Sequence, residues 1–203
     1  EAGKGSGAFT GEDMMRCVEK AKSMAKKNRN YFLPNQFSNR DNVEAHKRTT
    51  AEEIWKQTDG KINYFIAAAG TGGTVTGVGE VMKEKNPKIK IVAVEPKNSA
   101  VMTGGNPGPH KIQGIGEGFI PEVMRCEICD EIVQVSDAEA IKMCNRLAKE
   151  EGIFSGISSG ANVVAALKIA KKAPKNSIIV TMAPDSGARY LSARVFSDRF
   201  SFC

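Results

Sequence analysis

What this chain lacks narrows its possible work more than its bulk composition does. No apolar run approaches the roughly 18 residues that a bilayer-spanning helix requires, and the N-terminal residues hold no apolar core of the kind a secretory signal carries. The expectation is a cytoplasmic protein with no membrane partner. Aromatic residues are few, 6% with a single Trp, and none interleaves with the lysines as a single-strand nucleic-acid binder would need for base stacking. The net charge of +6 therefore reads as solvated helix faces, with Lys20, Lys22, Lys26 and Lys27 in one group and Lys168, Lys171 and Lys172 in another, and no nucleic-acid partner is expected. Histidine is scarcer still, His46 and His110 only, each read as a packed or surface residue rather than a base. The five cysteines are an odd number, which suits reduced thiols better than a disulfide framework. Cys126-x-x-Cys129 is half of a zinc pattern, with His110 and Cys144 as remote partners, but without a second pair no metal is expected.

What is present describes one globular domain, or one domain and a remnant: 203 residues, 41% hydrophobic and 26% charged. Met14, Val18, Ala21 and Ala25 share one face of a helix spanning residues 11–28, after the glycine- and serine-rich opening at 3–7. Tyr31 to Leu33 reads as a short strand before Pro34. Asp41 or Asn42 caps a helix that runs towards Trp55 and stops at Asp59-Gly60. Apolar runs at 62–69, 89–94, 131–135 and 177–182 read as strands. Between them lie helical patterns from Val75, at 136–148 behind the capping box Ser136-Asp137-Ala138-Glu139, and at 160–172. Residues 96–121 carry no period and are rich in Gly and Pro, the mark of a long functional loop. Strands alternating with helices specify an α/β fold, a doubly wound, mostly parallel sheet with helices on both faces, whose ligands collect at the C-terminal strand ends.

One junction stands out. The run ending Ala67-Ala68-Ala69 passes directly into Gly70-Thr71-Gly72-Gly73-Thr74 and then into a helix through Val75, Val78, Val81 and Met82. Small residues at such a turn let successive N–H groups close on an anion, and the helix N-terminus adds roughly half a positive charge. No Lys followed by Ser or Thr is present, which excludes a Walker loop. A dinucleotide fingerprint fits better, with Gly70-x-Gly72 after a strand and Glu95 ending the next one. It fails where the third glycine falls on Val75.

Several blocks then resemble one family together. Gly70 to Thr74 is similar to the phosphate loop of the cysteine synthases, the pyridoxal-phosphate (PLP) enzymes of the tryptophan-synthase-β-like fold, also called fold type II. Around it Gln36-Phe37-Ser38-Asn39, Thr49-Thr50-x-x-Glu53-Ile54-Trp55, Ala93-Val94-Glu95-Pro96, residues 108–116, Gly156-Ile157-Ser158-Ser159-Gly160-Ala161 and residues 186–192 follow in that family's order. The resemblance implies a remnant of the smaller domain over residues 1–36 and a PLP-binding domain over 37–203. It implies that Gly70, Thr71, Gly72, Gly73 and Thr74 hold the phosphate, that the Ser158 hydroxyl meets the ring nitrogen, and that Gln36 lies near the carboxylate of an amino-acid substrate. The implied reaction is β-replacement, O-acetylserine and sulfide giving cysteine and acetate, in an enzyme that is a homodimer when complete.

The family's Schiff-base lysine and its carboxylate-gripping Ser/Thr-Gly-Asn-Thr-Gly loop lie in the N-terminal third of its members, and neither occurs among these 203 residues. With Glu1 first and Met14 the earliest methionine, the expectation is a portion of a longer protein, inactive alone and with no catalytic residue assigned. Two alternatives stay open: a non-catalytic binding or regulatory relative, and a nicotinamide-dependent oxidoreductase. The chain departs from the family pattern at Arg40, usually proline, at Ala51-Glu52, usually Gly-Pro, and at Glu117, usually a small residue. Asp185 stands where serine is common beside the ring nitrogen, as in the related cystathionine β-synthases. It leaves the nucleophile open between sulfide, cyanide and a larger thiol.

Overall fold

The computed structural model describes residues 11–193 together with 195 and 196; the opening at 3–7 lies outside them. Among the described residues six α-helices and four strands follow in order: α1 (Gly11–Lys27), α2 (Asp41–Arg48), α3 (Thr50–Gln57), β1 (Ile62–Ala68), α4 (Gly73–Lys85), β2 (Lys90–Pro96), β3 (Glu131–Val135), α5 (Asp137–Glu150), α6 (Ile157–Ala170) and β4 (Ile178–Thr181). The strands form one sheet in the order β3-β2-β1-β4, and every pair is parallel.

The strand sequences explain how the sheet is covered. Phe65 and Ala67 of β1 and Ile91 and Ala93 of β2 face a core shared with Ala51, Ile54, Val75, Val78 and Met82 from α3 and α4. Their alternates Ile66, Val92 and Val94 face the opposite core, filled by Ala140, Ile157, Ala161, Ala165 and Ile169 from α5 and α6. With side chains alternating along a strand, two apolar faces need two helical layers. Phe65 and Ile66 are both fully buried on opposite faces, each contributing about 1.5–3 kcal/mol of transfer free energy.

The chain runs outward from β1 to β2 to β3 and then returns by α5 and α6 to place β4 on the other flank of β1. Strand order therefore reverses at β1/β4, and connections leave for opposite faces of the sheet: α4 on one side, α6 on the other. A crevice opens at the C-terminal end of such a switch point. Asn162 of α6, 1% exposed, holds that crevice in shape. Its Oδ1 accepts from Ala68 N at 2.8 Å and its Nδ2 donates to Met182 O at 2.8 Å, joining the diverging ends of β1 and β4.

Several local expectations differ from the structure. Tyr31 to Leu33 forms no strand; Tyr31 and Phe32 are exposed, and the segment is turned by a bond from Tyr31 N to Asn28 O at 3.1 Å. The helix expected from 41 towards Trp55 is two helices broken at Thr49, whose hydroxyl donates back to Ala45 O at 2.8 Å. Neither Asp41 nor Asn42 caps it, since Arg40 occupies the cap position without a side-chain bond. The α6 helix starts at Ile157, three residues before the sequence pattern suggested. The Ser136–Glu139 capping box is present with both reciprocal bonds. On α1 the residues Met14, Val18, Ala21 and Ala25 share a half-buried face, and no residue of that helix is fully buried.

Candidate active site at the strand switch point

Gly70 to Thr74 leaves β1 at the crevice and opens α4, whose cap residue Gly72 has φ +85°. The loop is held by side chains that sequence patterns did not single out. Asn42 Nδ2 donates both to Thr71 Oγ1 at 2.9 Å and to Gln36 O at 3.0 Å, so one carboxamide ties the loop to the 35–39 turn. A Cβ on Gly73 would fall 2.0 Å from Asn42 Oδ1, which only glycine avoids. His46 lies within hydrogen-bond distance of two hydroxyls, Nε2 at 3.1 Å from Thr74 Oγ1 and Nδ1 at 2.9 Å from Thr50 Oγ1. Burial pushes its pKa below the ordinary imidazole value. Burial thus favours its neutral form, and the ring positions Thr74.

An anion fits this loop on its own geometry. The N–H groups of Gly72, Thr74 and Val75 have no acceptor among the described residues, while Gly73 N reaches Thr71 Oγ1 at a long 3.3 Å. Buried or half-buried donors left open at the start of a 13-residue helix are the usual receptor for phosphate.

Ser158 stands on the other wall. It lies in the first turn of α6, one turn before Asn162, and is therefore carried to the same end of the sheet as the glycine loop. A helix-capping role is ruled out: the cap is Gly156, which makes no side-chain bond, and Ser158 is inside the helix. It is 4% exposed, and its hydroxyl has no partner among the described residues. Asp185, which follows β4, packs against the same turn. Gly156 N donates to Asp185 O at 3.1 Å, and Tyr190 Oη donates to Asp185 Oδ2 at 2.6 Å. Burial and that bond raise the Tyr190 phenol well above its usual range. Asp185 Oδ1 is buried without a partner, as are the hydroxyls of neighbouring Ser155 and Ser159.

Gln36 is exposed; its carbonyl is engaged by Asn42, and its side chain has no hydrogen bond among the described residues. The acid of the dinucleotide pattern is otherwise employed. Glu95 is 1% exposed, and its carboxylate accepts from Met102 N at 2.8 Å and from Thr103 Oγ1 at 2.5 Å, so it cannot reach a ribose. The loop at 107–121 folds back over the cradle through Gly116 N to Ala69 O at 3.2 Å. A separate apolar cleft of about 710 Å³ lies between Met15 and Val18 of α1, Phe37, and Phe119 to Pro121; no residue of the cradle lines it. Cys126 and Cys129 pack against the core rather than into the site, burial pushing the Cys129 thiol up to about 12. No group of three His, Cys, Asp or Glu suited to a metal occurs among the described residues.

Asn162 and Asn42 were the residues that sequence reasoning passed over. An Asn inside the otherwise apolar stretch Ala161 to Ala166 was the available signal for the first. Asn42 gave none, since Asn near a helix start reads as a cap.

Known proteins resemble this chain in sequence and in shape. The model of the pyridoxal-phosphate dependent enzyme family matches residues 7–185. A cysteine synthase of Staphylococcus aureus is 49% identical over 187 residues, which is 92% of this chain and 60% of the relative. A cysteine synthase of Entamoeba histolytica superposes with a TM-score of 0.83 at 45% identity, covering 91% of this chain and 55% of that one. An O-acetylserine dependent cystathionine β-synthase of Helicobacter pylori superposes at 0.82 with 40% identity, covering 86% and 57%. The chain thus spans about 60% of the length of the curated relatives it matches. With a matching family model over most of its length and the parallel sheet and glycine loop in place, the chain belongs to the family of pyridoxal-phosphate-dependent enzymes.

Proposed function

We propose that these residues are the cofactor-holding portion of a β-replacement enzyme that converts O-acetylserine and sulfide into cysteine and acetate. The observation that carries the proposal is the pairing, across one strand switch point, of an open N–H cradle with a buried, unpartnered hydroxyl. The two suit the two ends of PLP. The N–H groups of residues 70–74, with the α4 N-terminus behind them, take the dianionic phosphate. The Ser158 hydroxyl donates to the ring nitrogen, and Gln36 serves the substrate carboxylate. When bound, the cofactor supplies an electron sink for the substrate's α-carbon. A neutral serine keeps that sink moderate, which suits loss of a β-substituent. Asn42 and His46 hold Thr71 and Thr74 so that the cradle is formed before the ligand arrives.

Residues 1–36 fall to a smaller unit and 37–203 to the PLP-binding domain. The incomplete burial of α1 against the two full cores around the sheet supports that division. The complete enzyme is proposed to be a cytoplasmic homodimer.

Calorimetric titration of this chain with PLP tests the site, and cysteine formation by the complete enzyme tests the activity. PLP is expected to bind, and Ser158→Ala to weaken it about 2- to 10-fold, the worth of one neutral hydrogen bond. Absence of PLP binding by the complete enzyme, or binding of NAD in its place, refutes the proposal. Binding by the complete enzyme without cysteine formation favours a non-catalytic relative.

A further inference from the structure

Glu117 is a charged residue that the fold itself leaves unused. It sits in the loop that covers the cradle, between Gly116 at φ +67° and Gly118 at φ +83°. Gly116 N bonds Ala69 O at 3.2 Å, and Gly116 O lies 3.0 Å from His110 Nε2, so the backbone on its N-terminal side is fixed. The side chain is half-buried and makes no hydrogen bond or ion pair among the described residues. Its position is marked by Gly70: a Cβ built there would fall 2.4 Å from Gly114 O and 4.0 Å from Glu117 Oε1. The carboxyl therefore stands at the entrance to the glycine loop rather than on an outer face.

Among the described residues His110 is the one ionisable group that faces it appreciably, and the Nδ1 of that ring is buried without a partner. Burial raises the Glu117 carboxyl above the usual glutamate range, and His110 opposes the shift. A half-buried acid with no structural task, beside a ligand cradle, is placed as a proton donor would be.

We propose that Glu117 selects the substrate's leaving group by protonating it. This rests on the β-replacement function proposed above and extends it from O-acetylserine to amino acids that carry a β-thiol or β-hydroxyl. Acetate departs as a stable anion and needs no proton; a thiolate or hydroxide does. In the step, the substrate's α-proton goes to the amine base of the complete enzyme. The Cβ–S or Cβ–O bond breaks, its electron pair stays on the heteroatom, and that atom takes the proton of the Glu117 carboxyl, releasing hydrogen sulfide or water. An incoming thiol then returns its proton to the carboxylate as its sulfur bonds Cβ, and the amine base gives its proton back to Cα. No oxidant or reductant is involved.

The test compares the complete PLP-loaded enzyme with its Glu117→Gln and Glu117→Asp variants on L-cysteine, L-serine and O-acetylserine. The expected result is a loss for Glu117→Gln on cysteine and serine that exceeds its loss on O-acetylserine by about 10²-fold, the ordinary worth of a general acid. Glu117→Asp is expected to recover part of it. A second measurement does not depend on turnover: carbon-detected NMR of the Glu117 carboxyl, which should titrate above the ordinary glutamate range and higher still in His110→Ala. Equal losses on all three substrates, no loss on any, or an ordinary titration overturn the inference while leaving PLP binding intact. Failure of the unaltered enzyme to bind PLP overturns both.

Discussion

Replacing Asn162 by Leu would test whether the crevice depends on one buried carboxamide. The side chain is 1% exposed and makes two bonds of 2.8 Å, to Ala68 N and Met182 O. Leucine is similar in size, so the change opens little cavity and mainly removes those two partners. An abandoned buried donor or acceptor costs about 1–3 kcal/mol. Ala68 and Met182 are only half-buried and recover some hydration, so the lower half of that range applies to each. The sum is about 2–4 kcal/mol, which for a domain of this size lowers Tm by roughly 5–15 °C. Urea unfolding followed by circular dichroism reads it as a shifted midpoint with an unchanged slope. Because Ala68 precedes the glycine loop, PLP affinity should fall as well. The exposed pair Arg146–Glu150 is the control, where Arg146→Ala should cost under about 0.5 kcal/mol. If Asn162→Leu unfolds within 0.5 kcal/mol of the parent by the same assay, the reasoning about the staple is refuted.

Gly73→Ala should abolish phosphate binding and destabilise the packing of α2 on α4, because its Cβ would lie 2.0 Å from Asn42 Oδ1; inorganic phosphate titration and thermal melting check both effects. Glu139 is held down to about 2, first by the Ser136 N–H and then by Lys168. With a depressed folded value, its contribution is present above the unfolded glutamate pKa and is lost as pH falls from about 4.5 towards 2. The carboxylate is 42% exposed in its side chain, so solvent screening keeps that contribution to about 1 kcal/mol or less. Acid titration of Glu139→Gln should lack that part of the stability loss.

Much of this architecture was readable in the letters because the letters are local. The apolar runs at 64–69 and 91–94 are uninterrupted, as two-sided burial requires, and the Ser136 to Glu139 box specifies a helix start unaided. The glycine loop was legible because a strand, a turn without bulky residues and a helix are contiguous. What escaped was set by tertiary partners. Tyr31 to Leu33 has β-favouring residues but no neighbouring strand to pair with, so propensity had nothing to act on. The break at Thr49 follows from how α2 and α3 each pack, not from a breaker residue. Asn42 and Asn162 act across 29 and 94 positions of sequence, where no window reads them.

The reversal of strand order also bears on how the molecule is made. Thr181 donates to Ile66 O, and Ile178 N to the Asn63 side chain, each across 115 positions. During synthesis β1 therefore pairs with β2 on one flank, and its other flank stays open until β4 leaves the ribosome. Such a chain exposes a hydrophobic edge able to pair with a neighbour, and it closes slowly because its closing contact is so remote. The ligand crevice and the vulnerable edge are the same place, so vitamin binding during biogenesis should act as a chaperone for the final docking step.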